Sequence, residues 1–279
     1  MKKFLTDIHT HSKYSFDGQN ELAEMLETAR AKGFDFYGVA EHFEYDLLCL
    51  PKLPRELIDA EKYFHGARHL QEDYEGCMNV LIGAEFSYAD DKKIHAIHKE
   101  NYEKYRPDFV VNSVHTLNGE DYYDGQVYYR EDENGKRVLR DKKEVYEEYL
   151  GLVERSLLVD YPYDIVGHIG YATRYAPYED TSMSVAEFGE SIDKILKTII
   201  EKNKILEVNS SVKGQVFLPT AEIVQRYFKL GGRNISYASD AHGVERIGDK
   251  RKETVELLKE IGFTHITVPY KGEYIKLEI

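Results

Sequence analysis

Apolar and polar residues follow two rhythms along the 279-residue chain. Short runs rich in β-branched and aromatic residues occupy positions 4–8, 36–40, 79–86, 109–113, 165–167, 205–208 and 235–238. Their length and composition predict strands. Between them lie longer stretches with apolar residues three and four apart. In 21–32 these are Leu22, Met25, Leu26 and Ala29, and Gly33 follows as a C-terminal stop. Residues 55–74, 142–159, 184–203, 220–230 and 250–261 read similarly, with Gly231 and Gly262 closing the last two. Strand and helix alternating about seven times predicts a parallel α/β fold. An open doubly wound sheet usually carries a glycine-rich phosphate loop after its first strand. Here that strand runs into histidine and aspartate, with no GxGxxG. A closed barrel fits better, and it gathers its active site at the C-terminal ends of the strands. Two polar stretches, 118–140 and 170–182, are long for connections, and such loops are usually functional or mobile. Residues 264–279 predict a closing strand or hairpin. Nothing reads as a linker or repeat, so one domain spanning 1–279 is expected.

The strand ends carry one kind of chemistry. His9, His11, His42, His115, His168 and His242 sit at or just past them; Glu85 ends the third run, and Asp240 precedes His242. His9 and His11 are two apart, so on a strand both imidazoles face the same side. With Asp17, which shortly follows the first run, these make nine candidate ligands. Nine are too many for one tetrahedral ion and suit two or three, with a carboxylate such as Glu85 bridging. Imidazole with carboxylate suits Zn, Fe or Mn. One histidine at a strand end is usually structural; the same ligand types at six independent ends point to metal. Asp17 has a structural alternative as N-cap of the following helix. His65 and His69, four apart on a helix without an HExxH signature, read as surface residues. His95 and His98, beside Lys92 and Lys93, read as solvated helix residues, and His265 lies in the closing strand. Of the 23 tyrosines, Tyr122, Tyr123, Tyr128 and Tyr129 either line a pocket or pack their loop.

The formal net charge is −13, which disfavours nucleic acid as a partner. It leaves room for a small anionic substrate, because a metal centre supplies local positive charge. Two isolated cysteines, Cys49 and Cys77, make no disulfide framework and fit a reducing compartment. No run approaches the length of a membrane span, and the start lacks the apolar core of a signal peptide. A cytoplasmic protein is expected.

The order and spacing of these marks resemble the polymerase-and-histidinol-phosphatase (PHP) superfamily. The matching residues are Asp7, His9 and His11 in DxHxH, Glu41–His42, Gly83 and Glu85 in GxE, Ser113–His115 in SVH, Gly167–His168, and Ser239–His242 in SDAH. Within it the chain looks most like the histidinol-phosphate phosphatases of histidine biosynthesis, through residues 123–129 (YDGQVYY), the stretch GHIGYATRYAPY with His168, Arg174 and Tyr178, and residues 205–211 (ILEVNSS). The resemblance implies a distorted (β/α)7 barrel with a trinuclear centre. His9, His11, Glu85 and Asp240 would hold the first ion; Glu85, His115 and His168 the second; Asp17, His42 and His242 the third. It implies hydrolysis of L-histidinol phosphate; on such a centre a hydroxide bridging the first two ions is expected to attack phosphorus, with Asp240 or His242 relaying a proton to the leaving alkoxide. Arg174 matches a phosphate-binding arginine; its alternative is a surface ion pair with Glu179 or Asp180. A second arginine expected after the sixth strand is missing. Ser211 stands there, with Lys213 two residues on as a possible substitute, though lysine lacks the bidentate fork. Glu44, Asp124 and the tyrosines of 122–129 are candidates for the amine end of the substrate. The rival readings are a PHP phosphoesterase acting on another small phosphomonoester or on phosphotyrosine, an amidohydrolase, and a non-catalytic PHP module. An amidohydrolase usually has a lysine ligand on a middle strand, where this chain has Glu85 and His115; a degenerate module loses ligands, and none is missing here.

Overall fold

The computed structural model describes residues 4–46 and 57–279. Among them, seven strands form one wholly parallel sheet in chain order: β1 (Thr6–Asp7), β2 (Phe36–Phe43), β3 (Asn79–Ser87), β4 (Val110–Ser113), β5 (Ile165–Val166), β6 (Ile205–Asn209) and β7 (Ile235–Ala238). A parallel bridge between Thr10 and Ala241 brings the last strand back to the first. Asp240 N–H donates to His9 O at 2.9 Å, and His11 N–H to Ala241 O at 2.8 Å. The sheet is therefore a nearly closed barrel, each strand falling within about three residues of its apolar run. Its strands are buried throughout most of their length, which is why they read as continuous apolar runs rather than alternating ones.

Helices α1 (Leu22–Ala31), α2 (Ala60–Asp73), α3 (Lys92–Tyr105), α4 (Lys142–Ser156), α5 (Val185–Glu201), α6 (Ala221–Lys229) and α7 (Arg251–Ile261) connect the strands. In α1 the four buried residues are Leu22, Met25, Leu26 and Ala29, the predicted stripe. Helix α2 begins later than its spacing predicts, because Asp59 caps it by accepting from Lys62 N–H at 3.0 Å. Positions 55 and 56 of that prediction, and Cys49, lie outside the described residues. Helix α3 is absent from the apolar pattern because its inward face holds only Ile94 and His98. His98 is fully buried, not solvated. It stacks on Phe86 with ring centroids 4.4 Å apart, and its Nε2–H reaches Ser87 O at 3.0 Å. His65 and His69 are exposed, as expected.

The 118–140 stretch is built as two small hairpins, pairing Thr116–Leu117 with Glu120–Asp121 and Tyr129–Glu131 with Arg137–Leu139. At the far end of the barrel, β8 (His265–Tyr270) and β9 (Glu273–Glu278) form an antiparallel hairpin. It lies under the strand starts: Tyr270 hydroxyl donates to Asn79 Oδ1, and Tyr274 hydroxyl to Asp164 Oδ1. No described helix is long and apolar enough to cross a membrane.

Gly38 on β2 lies hard against the backbone just after β1: a Cβ there would lie 2.7 Å from Ile8 O. Backbone cannot swing aside as a side-chain tip can. Gly38→Ala is expected to destabilise the protein by about 1–3 kcal/mol, whereas Gly151→Ala, at a half-buried position of α4 where a Cβ meets only the movable tip of Arg155, should stabilise by about 0.5–1 kcal/mol. Thermal denaturation of both variants checks the opposite signs, and equal shifts would contradict the close approach.

Candidate metal centre

Strand register delivers the site. His42 and Glu85 are direct partners across β2 and β3, so their side chains leave the sheet on the same side. His9 and His11 follow β1 two residues apart. Asp240 follows β7 with φ +52°, a left-handed conformation that aspartate tolerates better than most residues. That turn carries Asp240 and His242 over the barrel mouth.

Glu85 stands at the centre and is 1% exposed. Its Oε1 lies 2.9 Å from His168 Nε2 and 3.3 Å from His115 Nε2. Its Oε2 lies 2.8 Å from His42 Nδ1, 3.5 Å from His9 Nε2 and 3.7 Å from His11 Nε2. His11 Nε2 also faces Asp240 Oδ1 at 3.3 Å. On the outer side, Asp17 Oδ2 is 3.2 Å from His242 Nε2, and Asp17 Oδ1 is 3.7 Å from His42 Nε2. The nine predicted residues thus meet in one volume. Asp17 is not the cap of α1, which starts after Glu21. Three sets have donor atoms close enough to share an ion: His9–His11–Asp240, His42–Glu85–His115 and His11–His42–His242. His11 and His42 recur in these sets, so the boundaries between subsites are less sharp than the three-way division implied by resemblance.

Two tests bear on whether an ion fits. His9 Nε2, His11 Nε2, His42 Nδ1 and Glu85 Oε2 are buried and make no well-aligned hydrogen bond among the described residues, close as His42 Nδ1 and Glu85 Oε2 are, whereas buried polar atoms are ordinarily paired. Two imidazole nitrogens also face each other twice, His42 Nε2 to His242 Nε2 at 3.3 Å and His115 Nε2 to His168 Nε2 at 3.4 Å. Two nitrogens on one tetrahedral zinc stand about 3.3 Å apart by bond length alone. The donor set fits a divalent transition ion.

The surrounding carboxylates orient these ligands. Glu207, buried on β6, binds His9 Nδ1 at 2.7 Å and so turns Nε2 inward. Glu44 does the same for His115, Oε1 to Nδ1 at 2.8 Å. Such partners fix ring orientation and raise ligand basicity. Neither was picked out as a ligand-orienting group from sequence; Glu207 hides in an apolar strand, and only its alternation with Leu206 and Val208 could have flagged it. Asp7 joins β1 to the β7 side, accepting from Ser239 N–H and Gly248 N–H, both at 2.9 Å. Burial pushes its carboxyl up to about 6. Glu41 accepts from the Ser12 and Ser15 hydroxyls, each at 2.5 Å, behind the cluster. Burial pushes it to about 7 despite those bonds. Burial opposes charge on His115 too, but Glu85 and Glu44 raise it to about 9. His11, deeply buried beside the charges of His42 and His242, falls to about 3.

The site opens into a cavity of about 610 Å³ lined by Phe16, Asp121, Tyr123, Tyr171, Tyr175, Ser211, Glu245 and Arg246 as well as the cluster. Arg174 forms part of its wall and is not a surface residue. Its Nη1 donates to Asp240 Oδ2 and its Nη2 to Asn209 Oδ1, both at 3.2 Å; Asp180 pairs with Lys142 instead. Ser211 lines the cavity, but Lys213 is exposed and lies outside it. The reason is Lys250, whose Nζ donates to the carbonyls of Ser210, Val212 and Gln215 and holds the turn with Lys213 outward. Arg246 occupies the cavity instead, and sequence reasoning missed it because it comes from a different loop. Asp124 caps the turn at Gln126 rather than facing the cavity, which Asp121 lines. Of the tyrosine cluster, Tyr122 and Tyr128 pack the loop, Tyr129 is half-buried, and the exposed Tyr123 faces the cavity.

A match to the PHP domain family covers residues 7–211. The chain belongs to the PHP domain family. It is 28% identical over 277 residues to the histidinol-phosphatase of Lactococcus lactis subsp. lactis, covering 98% of this chain and 96% of that one. A Clostridium acetobutylicum protein named "Probable histidinol-phosphatase" is 28% identical over 253 residues, covering 90% and 91%. The solved structure of the Lactococcus lactis histidinol phosphate phosphatase, complexed with zinc, L-histidinol and phosphate, superposes with a TM-score of 0.83 at 24% identity, covering 98% of this chain and 99% of that one. The barrel is thus the PHP-type (β/α)7 fold.

Glu41 generates a pH dependence. Its folded-state pKa of about 7 lies above the ordinary 4.5, so the folded state holds the extra proton between those values. Its stabilising share is complete below pH 4.5 and is lost as pH rises through 7. In chelator-treated protein, wild type should lose about 3 kcal/mol relative to Glu41→Gln across this window. Melting curves from pH 4.5 to 8 that run parallel for the two proteins would contradict it.

Proposed function

We propose that this PHP protein is a metal-dependent phosphomonoesterase that hydrolyses L-histidinol phosphate to L-histidinol and phosphate. The observation that carries the reading is the convergence of five imidazoles on Glu85 beside a guanidinium at the wall of one cavity. The names of the two relatives, aligned over nine-tenths or more of this chain, support the substrate.

His9, His11, Glu85 and Asp240 would hold one divalent ion, Glu85, His115 and His168 a second, and Asp17, His42 and His242 a third. Bound there, such ions supply an activated water near neutral pH and offset charge on the phosphoryl oxygens. The chain's own side chains do the rest. Arg174 presents a planar donor fork at the cavity wall beside Asp240, which suits a phosphoryl oxygen. Burial works against charge on Asp240, yet the His11 hydrogen bond and Arg174 hold it well below the usual carboxylate range. That keeps Asp240 charged and makes it a weak base, suited to holding a cation; Asp240 or His242 would relay the proton to the departing alkoxide. Asp121 and Glu245, with the rings of Phe16, Tyr123 and Tyr175, add acidic and aromatic groups to the cavity lining. That lining suits an amine and an imidazole, and a neutral sugar phosphate would gain less from it.

Metal-reconstituted protein should release phosphate from L-histidinol phosphate and stop on chelation. Glu85→Gln should lose at least two equivalents of metal together, measured by elemental analysis; loss of one with activity kept would remove Glu85 from a shared position. Turnover of other monoesters but not of L-histidinol phosphate would leave the phosphatase and overturn the substrate.

Arg174→Ala removes a charge-assisted bond worth roughly 1.5–3 kcal/mol, so kcat/KM should fall by about 10- to 150-fold. Arg174→Lys should recover part of this. A loss under about threefold, at unchanged metal content, would take Arg174 out of the phosphate site.

A further inference from the structure

The fixed cations lining the cavity are few. Among the described residues they are Arg174 and Arg246, set against Asp17, Glu44, Glu85, Asp121, Asp240 and Glu245. Arg174 is already engaged, with Asp240 on one nitrogen and Asn209 on the other. Arg246 comes from the loop after β7 and is 38% exposed at its side chain. Its Nη1 donates to Ser211 Oγ at 3.2 Å, and its Nη2 reaches Asp249 at 3.3 Å. The Asp249 pair is solvent-facing and weak by its exposure.

The two guanidiniums belong to one hydrogen-bonded turn. Asn209 Oδ1 accepts both from Arg174 Nη2 and from Ser211 N–H, the latter at 2.9 Å. Ser211 Oγ then accepts from Arg246. The turn 209–211 thus binds one arginine at each end, Arg174 at Asn209 and Arg246 at Ser211. Because Ser211 Oγ takes its bond from Arg246, its own proton is available to an oxygen in the cavity. Lys250, three carbonyls on its ammonium, pins this turn against the loop that carries Arg246, so the spacing is built in.

We propose that Arg246, with the Ser211 hydroxyl, is a second clasp for the substrate's phosphate, held to the same 209–211 turn as Arg174 and lining the same cavity. This rests on the phosphomonoesterase reading, and it assigns the cationic role to Arg246 in place of Lys213. Arg246 contributes two parallel donors, which match a phosphate edge as an ammonium would not.

The test titrates inorganic phosphate calorimetrically into zinc-loaded wild type, Arg246→Ala, Arg246→Lys and Lys213→Ala, alongside kcat/KM on L-histidinol phosphate, metal content and melting temperature. Arg246→Ala should weaken phosphate binding 10- to 100-fold and lower kcat/KM by a similar factor, with metal content and melting temperature unchanged. Arg246→Lys should recover part, and Lys213→Ala should stay within twofold. Phosphate affinity within threefold of wild type in Arg246→Ala would overturn the proposal, as would an equal loss in Lys213→Ala or a loss that tracks missing metal. Weakened phosphate binding in Arg246→Ala from a wild type that does not turn over L-histidinol phosphate would support the clasp and defeat only the substrate assignment.

Discussion

A carboxylate at 1% exposure is the constraint on which this molecule turns. Taking Glu85 out of water is costly unless charge and hydrogen bonds meet it inside. They come from His9, His11, His42, His115 and His168, which follow or end four different strands. Burial raises the Glu85 carboxyl, and the charges of His115, His9 and His42 bring it well below its ordinary range. No local segment could do this. The strands must end at one level, point inward in register and close into a ring, so the chemistry and the topology impose one another.

Much of this was legible because strands have a simple geometry. Two-residue alternation places His9 and His11 together, and the rule that parallel strands end on a common face places Glu85 near His168 without any contact being known. What escaped reading shared a different cause. Helix α3 lacks an apolar stripe because His98 fills a core position as an aromatic ring, packed on Phe86. Glu207 is a charged residue inside an apolar strand, and its role depends on a partner 198 positions away. The exchange of Lys213 for Arg246 depends on which way a turn is held, and Lys250, at the end of the loop that carries Arg246, decides that. Strand periodicity is local; loop orientation is set by contacts that sequence order does not reveal.

The acidic formal charge also takes on meaning at the site. Carboxylates gather round the mouth and behind it, where Glu207, Glu44 and Glu41 support histidines or their loops. They make the cluster attractive to cations, and the two arginines of the same cavity are the groups proposed to hold an anion. The balance is local, and net charge alone would not have shown that one cavity is lined by both signs.

Barrel closure has a temporal side. Ser239 N–H reaches Asp7 Oδ1 across 232 positions of chain, and the Thr10–Ala241 bridge lies beside it. Contacts so distant in sequence form late and slow folding, since a large loop must be ordered before they reward it. A chain still emerging from the ribosome would already carry every candidate ligand except Asp240 and His242, yet His9 and His11 would have no seventh strand to lean on. Ion capture by the full cluster would therefore wait until the two ends of the barrel have met.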